Sequence, residues 1–414
     1  MKLIYRLFYN FIFVPTVFIL GFFVKKISAG AKEKFGFYNF KFKEEKTIWI
    51  HAVSVGEVML AQTLIDKLNT KTPIVLTTST PQGQELAKNK LSDKCKKITY
   101  FPYDTTFAIK NAIKAINPKM AIIMETEIWP NFAWQLKNKN IPLFIANGRI
   151  SEATFNSYKK FKFFFKNVLS DYEAILTQTP QDKERFIEIG SNPDKTLCMG
   201  NIKFDLDKPD DFIKHKYQLE FNTIGKKVLI FGSTHGEENP LLISVFKNLK
   251  DKIDDLKLII APRHLEKIPQ IERLLTLSNL KYSKRSEQGT FGNNDVVILD
   301  TTGELGKIYS IADVCIIGGS YNKTGGHNPL EATIWGKPVI SGPNVKNFRY
   351  IFKNLCESNC ALIANNKNEL LDKTFELFSD KTYLNKINQN CVEVFNKNRG
   401  ATEFLVNYLE KFDN

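Results

Sequence analysis

Apolar and polar positions divide the chain into an N-terminal apolar run followed by two stretches of regular alternation. Leu7 to Val24 (LFYNFIFVPTVFILGFFV) has no charged side chain, and only Asn10 in it is strongly polar. That length just spans a hydrocarbon core. After Lys46, short Ile- and Val-rich runs alternate with segments of helical spacing. The runs Thr47–Val53, Pro73–Thr78, Ile98–Tyr103, Met120–Met124, Ile141–Ala146 and Ala174–Thr177 predict strands. Glu57–Leu68, Thr105–Ile116 and Ser157–Leu169 predict helices between them. Runs that are continuously apolar, rather than alternating, belong to strands covered on both faces, as in a parallel sheet. A polar stretch from Asp205 to Gly225 reads as a linker. The pattern then restarts with Val228–Phe231, Leu258–Ala261, Val296–Leu299, Val314–Ile317, Pro338–Ile340 and Ala361–Ile363.

The predicted organisation is therefore an anchor over 1–30, a Rossmann-like domain over 46–205 and a second over 226–380. Basic amphipathic helices over 381–414 are expected to pack back across both. Two doubly wound domains joined once would leave an interdomain cleft between the carboxyl ends of their sheets, where such sheets take ligands. No internal repeat or low-complexity tract is visible.

Composition changes the picture at three points. A hydrophobic share of 43% with 25% charged residues is globular and excludes wholesale disorder. A formal charge of +14 suits nucleic acid, an anionic bilayer surface or an acidic substrate, or merely a codon bias toward Lys. Lys2 and Arg6 precede the apolar run, and Lys25, Lys26, Lys32 and Lys34 follow it. The heavier C-terminal flank favours keeping the main body in the cytoplasm. The best small-residue site nearby, Ser28-Ala29-Gly30, is a poor cleavage signal, so the run reads as an uncleaved anchor. Pro15 leaves spanning and one-leaflet insertion both open. Cys95, Cys198, Cys315, Cys356, Cys360 and Cys391 form no C-x-x-C pair, so neither a zinc site nor a disulfide framework is expected.

Candidate chemistry gathers where strands end. The first run closes in His51-Ala-Val-Ser54-Val-Gly56-Glu57, with Glu57 at the opening of a helix. A carboxylate there suits a general base, or simply complements the helix N-terminus. The fourth run ends Met124-Glu125-Thr126-Glu127-Ile128-Trp129-Pro130-Asn131, two acids that are either functional or bonded to loop amides. Lys203 follows Gly200-Asn201-Ile202, where a cation either neutralises a phosphate or is solvated. In the second half, Pro262-Arg263-His264 ends a strand, and the Arg fork suits a phosphate or carboxylate. Thr302-Gly303-Glu304 opens a helix whose amides suit a nucleotide. Gly318-Gly319-Ser320 and Thr324-Gly325-Gly326-His327-Asn328-Pro329-Leu330-Glu331 supply close backbone approach, a helix-starting Pro and an acceptor for ribose hydroxyls. Neither G-x-G-x-x-G nor a P-loop occurs.

These strings together carry a resemblance. Trp49-Ile-His51-Ala-Val-Ser54-Val-Gly56-Glu57, METEIWPN, NGRIS, GNIKFD, APRH, TTGELGKIY and GGSYNKTGGHNPLEA are similar, in order and spacing, to the Kdo transferases of lipid A biosynthesis (Kdo, 3-deoxy-D-manno-octulosonic acid). The resemblance reaches Phe352, and the last sixty or so residues carry no diagnostic string. It implies an α/β GT-B glycosyltransferase fold that moves Kdo with inversion from CMP-Kdo to a lipid A precursor (lipid IVA). By motif position, Glu57 is the implied general base, and Glu127 and Lys203 the residues that stabilise the transition state. Pro262, Arg263, Thr302, Gly303, Glu304, Asn328, Pro329, Leu330 and Glu331 are the implied CMP contacts. The implied place of work is the cytoplasmic side of the inner membrane, in contact with membrane lipid.

No metal and no separate cofactor are expected, CMP-Kdo being a co-substrate. CMP is already a good leaving group, and no D-x-D motif ends a strand of the second domain. Asp205-Leu206-Asp207 has that pattern but lies beside the hinge and reads as structural. Two competing functions remain: a related GT-B transferase using a UDP-sugar on another lipid-linked acceptor, and a tethered basic protein without activity. No nucleic-acid-binding signature supports the latter.

Overall fold

The computed structural model describes residues 2–10, 16, 29–206, 210–287 and 289–413. The chain forms two compact units, one of Met1–Asp205 with Asn398–Asn414, the other of Leu206–Lys397. In the first, β1 (Thr47–His51), β2 (Ile74–Thr78), β3 (Lys97–Tyr100), β4 (Pro118–Met124), β5 (Leu143–Gly148), β6 (Ala174–Thr177) and β7 (Thr196–Cys198) make one sheet. Its order is β3-β2-β1-β4-β5-β6-β7, with every neighbouring pair parallel.

The continuous apolar runs are explained by two cores, one on each face of this sheet. Successive strand residues point to opposite faces. Ile48, Ile50, Met120, Ile122 and Met124 therefore pack with Val58, Leu64, Ala87, Leu91, Ala401, Leu405 and Leu409 from three helices on one side. Trp49, Ala121 and Ile123 pack with Ile109, Ile113, Phe132, Trp134 and Val168 on the other. The chain returns to this unit at its end. Asp205 accepts hydrogen bonds from Gly400 N (2.8 Å) and Thr402 N (2.5 Å), capping the helix Ala401–Glu410. This gives Asp205 a structural role.

The second unit repeats the architecture. β8 (Lys227–Thr234), β9 (Leu256–Pro262), β10 (Tyr282–Lys284), β11 (Val296–Ile298), β12 (Val314–Ile317), β13 (Val339–Ser341) and β14 (Ala361–Ile363) form a parallel sheet of order β10-β11-β9-β8-β12-β13-β14. Strand order reverses between β1 and β4 in one unit and between β8 and β12 in the other. Ligands of such sheets bind outside the carboxyl ends at that reversal.

The structure departs from the sequence pattern in three places. Within the expected linker, Asp211–Phe221 is a helix started by Asp210, whose Oδ1 accepts from Phe212 N at 2.9 Å. Polar residues hid its buried face of Tyr217 and Phe221. The single helix expected over 157–169 is two, Glu152–Lys160 and Lys162–Leu169, because Ser151 caps an earlier start and Phe161 leaves helical geometry. Two short strands, β7 and β10, carry too few apolar residues to stand out.

The anchor run Leu7–Val24 lies largely outside the described residues. Among the described residues, no helix is long and apolar enough to cross a membrane. The helix Lys2–Phe8 packs on the first unit. Tyr5 Oη donates to Asp104 Oδ2 (2.9 Å), its ring meets Trp134 edge-on at 5.8 Å, and Arg6 Nε donates to Asn131 Oδ1 (2.9 Å).

Candidate active site

At the reversal point of the first sheet, the loops after β1 and β4 bring three carboxylates together. Ser54 is the N-cap residue of the helix Val55–Lys67, and Glu57 occupies its first turn. Glu57 Oε2 accepts from Val53 N at 2.7 Å, and Oε1 accepts from Ser54 Oγ at 3.2 Å. The side chain is thus folded back over the end of β1 rather than extended into solvent. Burial pushes its carboxyl up to about 7; the Val53 amide opposes this, and the neighbouring charges of Glu125 and Glu127 reinforce it. A carboxyl poised there is half ionised near neutrality, which suits proton abstraction. Charge complementarity to the helix N-terminus and the base role both fit this position.

Glu127 is also pushed up to about 7 by burial. Glu125 differs. It has left-handed backbone geometry (φ 58°) and is bracketed by cations, with Lys203 Nζ 3.5 Å from Oε1 and Arg149 Nε 3.3 Å from Oε2. A non-glycine residue held at positive φ costs roughly 1–3 kcal/mol, and such strain concentrates at functional sites.

Lys203 is positioned by a network of buried amides. Asn201 Oδ1 accepts from Lys203 N (3.0 Å), Asn201 Nδ2 donates to Gln178 Oε1 (3.0 Å), and Gln178 Nε2 donates to Asn147 O (3.0 Å). Asn147 Oδ1 closes the loop by accepting from Ile202 N at 3.1 Å. With its side chain 24% exposed and paired to Glu125, Lys203 is not a merely solvated surface lysine.

In the second unit, the carboxyl ends of β8, β9 and β12 gather most of the remaining candidates. Pro262 ends β9, and Arg263 follows, its amide bonded to Thr234 O (2.9 Å) and its side chain exposed. Asn328 Oδ1 accepts from Leu330 N (3.1 Å), fixing the start of the short helix Leu330–Thr333 after Pro329. Asn328 Nδ2 donates to Glu331 Oε1 at 3.3 Å. Burial raises the Glu331 carboxyl, while Asn328 and the charge of Arg263 oppose it. Thr302 and Gly303 lie exposed on the adjoining turn, Gly303 at φ 85°. Glu304 is committed elsewhere in part, accepting from Thr301 Oγ1 and from Arg285 Nη2 (3.3 Å). Partial burial alone would raise it, but those partners hold it below the usual carboxylate range. Trp335 Nε1 donates to Gly306 O (2.7 Å), tying this turn to the helix that carries Glu331.

The sequence gives no separate role to Glu125, Arg149 or Asn147, though all three stand in METEIWPN and NGRIS. Their importance lies in a positive φ and in pairings across strands that spacing does not reveal. It singles out neither His235 nor Glu238. Glu238 is buried, and Oε1 accepts from His235 N (3.0 Å) and Gly319 N (2.6 Å), joining the turn after β8 to the glycines after β12. Among the described residues, no group of three or more His, Cys, Asp or Glu is placed to hold a metal ion.

Known proteins resemble this chain across both units. Residues 29–206 match the family 3-Deoxy-D-manno-octulosonic-acid transferase (kdotransferase), and residues 211–393 match glycosyl transferases group 1. The chain is 35% identical to the 3-deoxy-D-manno-octulosonic acid transferase of Haemophilus influenzae, covering 92% of this chain and 90% of that one. It is also 35% identical to a bifunctional glycosyltransferase/methyltransferase of Fusobacterium nucleatum, over 84% of this chain but only 55% of that protein, about half its length. Among solved structures, the UDP-GlcNAc 2-epimerase of Neisseria meningitidis shares the fold, at 15% identity and a TM-score of 0.59, covering 88% of this chain and 100% of that one.

Proposed function

The chain belongs to the 3-deoxy-D-manno-octulosonic acid transferase family, and on that premise we propose that it is an inverting glycosyltransferase moving Kdo from CMP-Kdo to a lipid A precursor in lipopolysaccharide biosynthesis. The observation that carries the mechanism is the buried Glu57 carboxyl, folded back over β1 and raised to about 7 beside Glu125 and Glu127.

In this mechanism Glu57 takes the proton of the acceptor hydroxyl as that oxygen attacks the anomeric carbon of Kdo. Attack on the face opposite the departing CMP gives single displacement with inversion. Lys203, held in place by Asn201 and Glu125, and Glu127 stabilise charge in the transition state. Pro262, Arg263, Thr302, Gly303, Glu304, Asn328, Pro329, Leu330 and Glu331 form the nucleotide seat, with Arg263 and the turn amides facing the phosphate. No step needs a metal, because CMP leaves as a phosphate monoester and fixed cations meet its charge.

The acceptor is a phosphorylated, acylated lipid, which supports a place on the cytoplasmic side of the inner membrane. The +14 charge and the apolar run Leu7–Val24 fit contact with membrane lipid, as do the exposed Leu3, Ile4, Leu7 and Phe8. Nucleotide competition tests the donor. Protection of the protein by CMP and not by UDP supports CMP-Kdo, and the reverse would transfer the mechanism to a UDP-sugar.

A further inference from the structure

Three of the chain's five histidines stand together in the second unit, and no role assigned above uses them. His235 lies in the turn after β8, His264 after β9 and His327 on the loop after β12, three adjacent strands. His235 Nε2 and His327 Nε2 are 2.8 Å apart, with the rings stacked at 5.1 Å and inclined by 9°. His264 meets His235 edge-on at 5.4 Å. A cavity of about 310 Å³ opens over His235 and His264, lined also by Gly236, Glu237, Lys267, Gln270, Asn322 and Thr324, with His327 reaching it through His235.

The backbone is fitted to these rings. A Cβ on Gly319 (φ 72°) would lie 2.9 Å from His327 Cδ2, and one on Gly318 would lie 2.5 Å from Ser233 O. Gly325 N and Gly326 N both donate to Gly319 O (3.0 and 2.7 Å), closing the loop that delivers His327. Beside the rings, the buried Thr234 Oγ1 has no hydrogen-bond partner among the described residues.

The charges facing the cluster are predominantly positive. Arg263 and Lys267 come from the segment after β9, and Lys346 bonds Lys323 O on the loop side (3.0 Å). Of the acids, Glu238 is engaged by backbone amides, Glu266 lies 3.6 Å from His264, Glu237 lines the cavity but is exposed, and Glu331 feels the charge of Arg263.

We propose that His235, His264 and His327 form the seat of the donor's anionic group, the phosphate or the sugar carboxylate of a nucleotide-activated acidic sugar. This rests on the donor reading above. A hydrogen bond between two neutral rings explains the 2.8 Å contact. One ring donates from Nε2 and the other accepts, so the pair holds one added proton at an outward Nδ1 with the contact intact. A second added proton would set two N–H groups against each other. Burial, with His235, Arg263 and His264 nearby, pushes His327 down to about 4; burial, His264 and Arg263 lower His235. Without an anion beside it, the His235–His327 pair is therefore neutral at pH 7. An anion entering it raises both rings, so binding takes up a proton.

The test is titration of cytidine, CMP, UDP and free Kdo against the full chain and its His235→Gln and His327→Gln variants, each checked for an unchanged Tm. The expected result is at least a tenfold loss of CMP or of Kdo affinity in both variants, with cytidine binding unchanged. A loss confined to CMP places the phosphate on the rings, and a loss confined to Kdo places the carboxylate there. Between pH 6 and 8, wild-type affinity should fall at least threefold more than that of either variant; the phosphate's own titration is common to all. Should wild type bind UDP and not CMP, the donor assignment fails, while a tenfold loss of UDP in the variants keeps the seat. Equal loss of cytidine and CMP, variants with wild-type affinity and pH dependence, or a wild type that binds none of the anions would each overturn it. If one variant unfolds, the other carries the same comparison.

Discussion

Lys203 Nζ lies 3.5 Å from Glu125 Oε1, joining the turn after β7 to the residue of positive φ that follows β4. Arg149 approaches the other Glu125 oxygen at 3.3 Å. Glu125 is thereby a holder of cations, and the Glu57 and Glu127 carboxyls, both near 7, remain for proton and charge chemistry.

From this pairing, Lys203→Ala should lower kcat by about 10²–10³-fold, the scale of one removed electrostatic contact. Glu125→Gln should lower it less. The double variant should be little worse than Lys203→Ala alone, because the two side chains act as a unit. Steady-state kinetics with donor saturating reads all three; fully additive losses would separate the residues.

Glu57→Gln should lower kcat by about 10²–10⁴-fold, the range for a lost general base. In the wild type, kcat/KM should rise with pH through about 7, where Glu57 ionises. In the variant that rise should flatten while CMP still binds, as a pH-rate profile beside an equilibrium titration will show.

The same substitution should stabilise the fold at alkaline pH. Glu57 is raised from its ordinary 4.5 to about 7, so the native state holds its proton more tightly than the unfolded state. Its contribution is full at low pH and is lost as pH rises from 4.5 through 7. A shift of that size corresponds to about 3 kcal/mol. Glu57→Gln should therefore melt a few degrees above wild type at pH 8 and close to it at pH 4. Parallel melts at the two pH values provide the check.

Asp104→Ala should be among the more damaging changes away from the chemistry. Asp104 is fully buried, and its carboxylate accepts from Asn131 N (2.8 Å), Phe132 N (2.8 Å) and Tyr5 Oη (2.9 Å). Removing it leaves buried donors unpaired at about 1–3 kcal/mol each. It also frees the helix Lys2–Phe8. Thermal denaturation should show the loss, and limited proteolysis should show earlier cutting near the N-terminus.

Much of the fold was legible because a doubly wound sheet writes itself as continuous apolar runs. Ile48, Trp49 and Ile50 feed cores on both faces, so none is polar. Strands without such runs, β7 and β10, were not legible, nor was the helix Asp211–Phe221, where Tyr217 and Phe221 are the only buried residues among charges. In the site, Glu57, Glu127 and Arg263 stood out because acids and a guanidinium at strand ends need a reason. Glu125 did not, because a glutamate carries no sign of a left-handed φ (58°), and Asn147 did not, because its partner Ile202 lies 55 positions away. His235 and Glu238 were invisible as partners because they meet the residues after β12 only once the sheet has formed, 81 positions separating Glu238 from Gly319.

The most direct test of Kdo transfer is mass spectrometry of a tetraacylated lipid A precursor after incubation with CMP-Kdo and the purified protein. The expected result is a mass increase by one or more whole Kdo units, absent with Glu57→Gln. An unchanged precursor, with folded protein and intact donor, would contradict the proposed reaction.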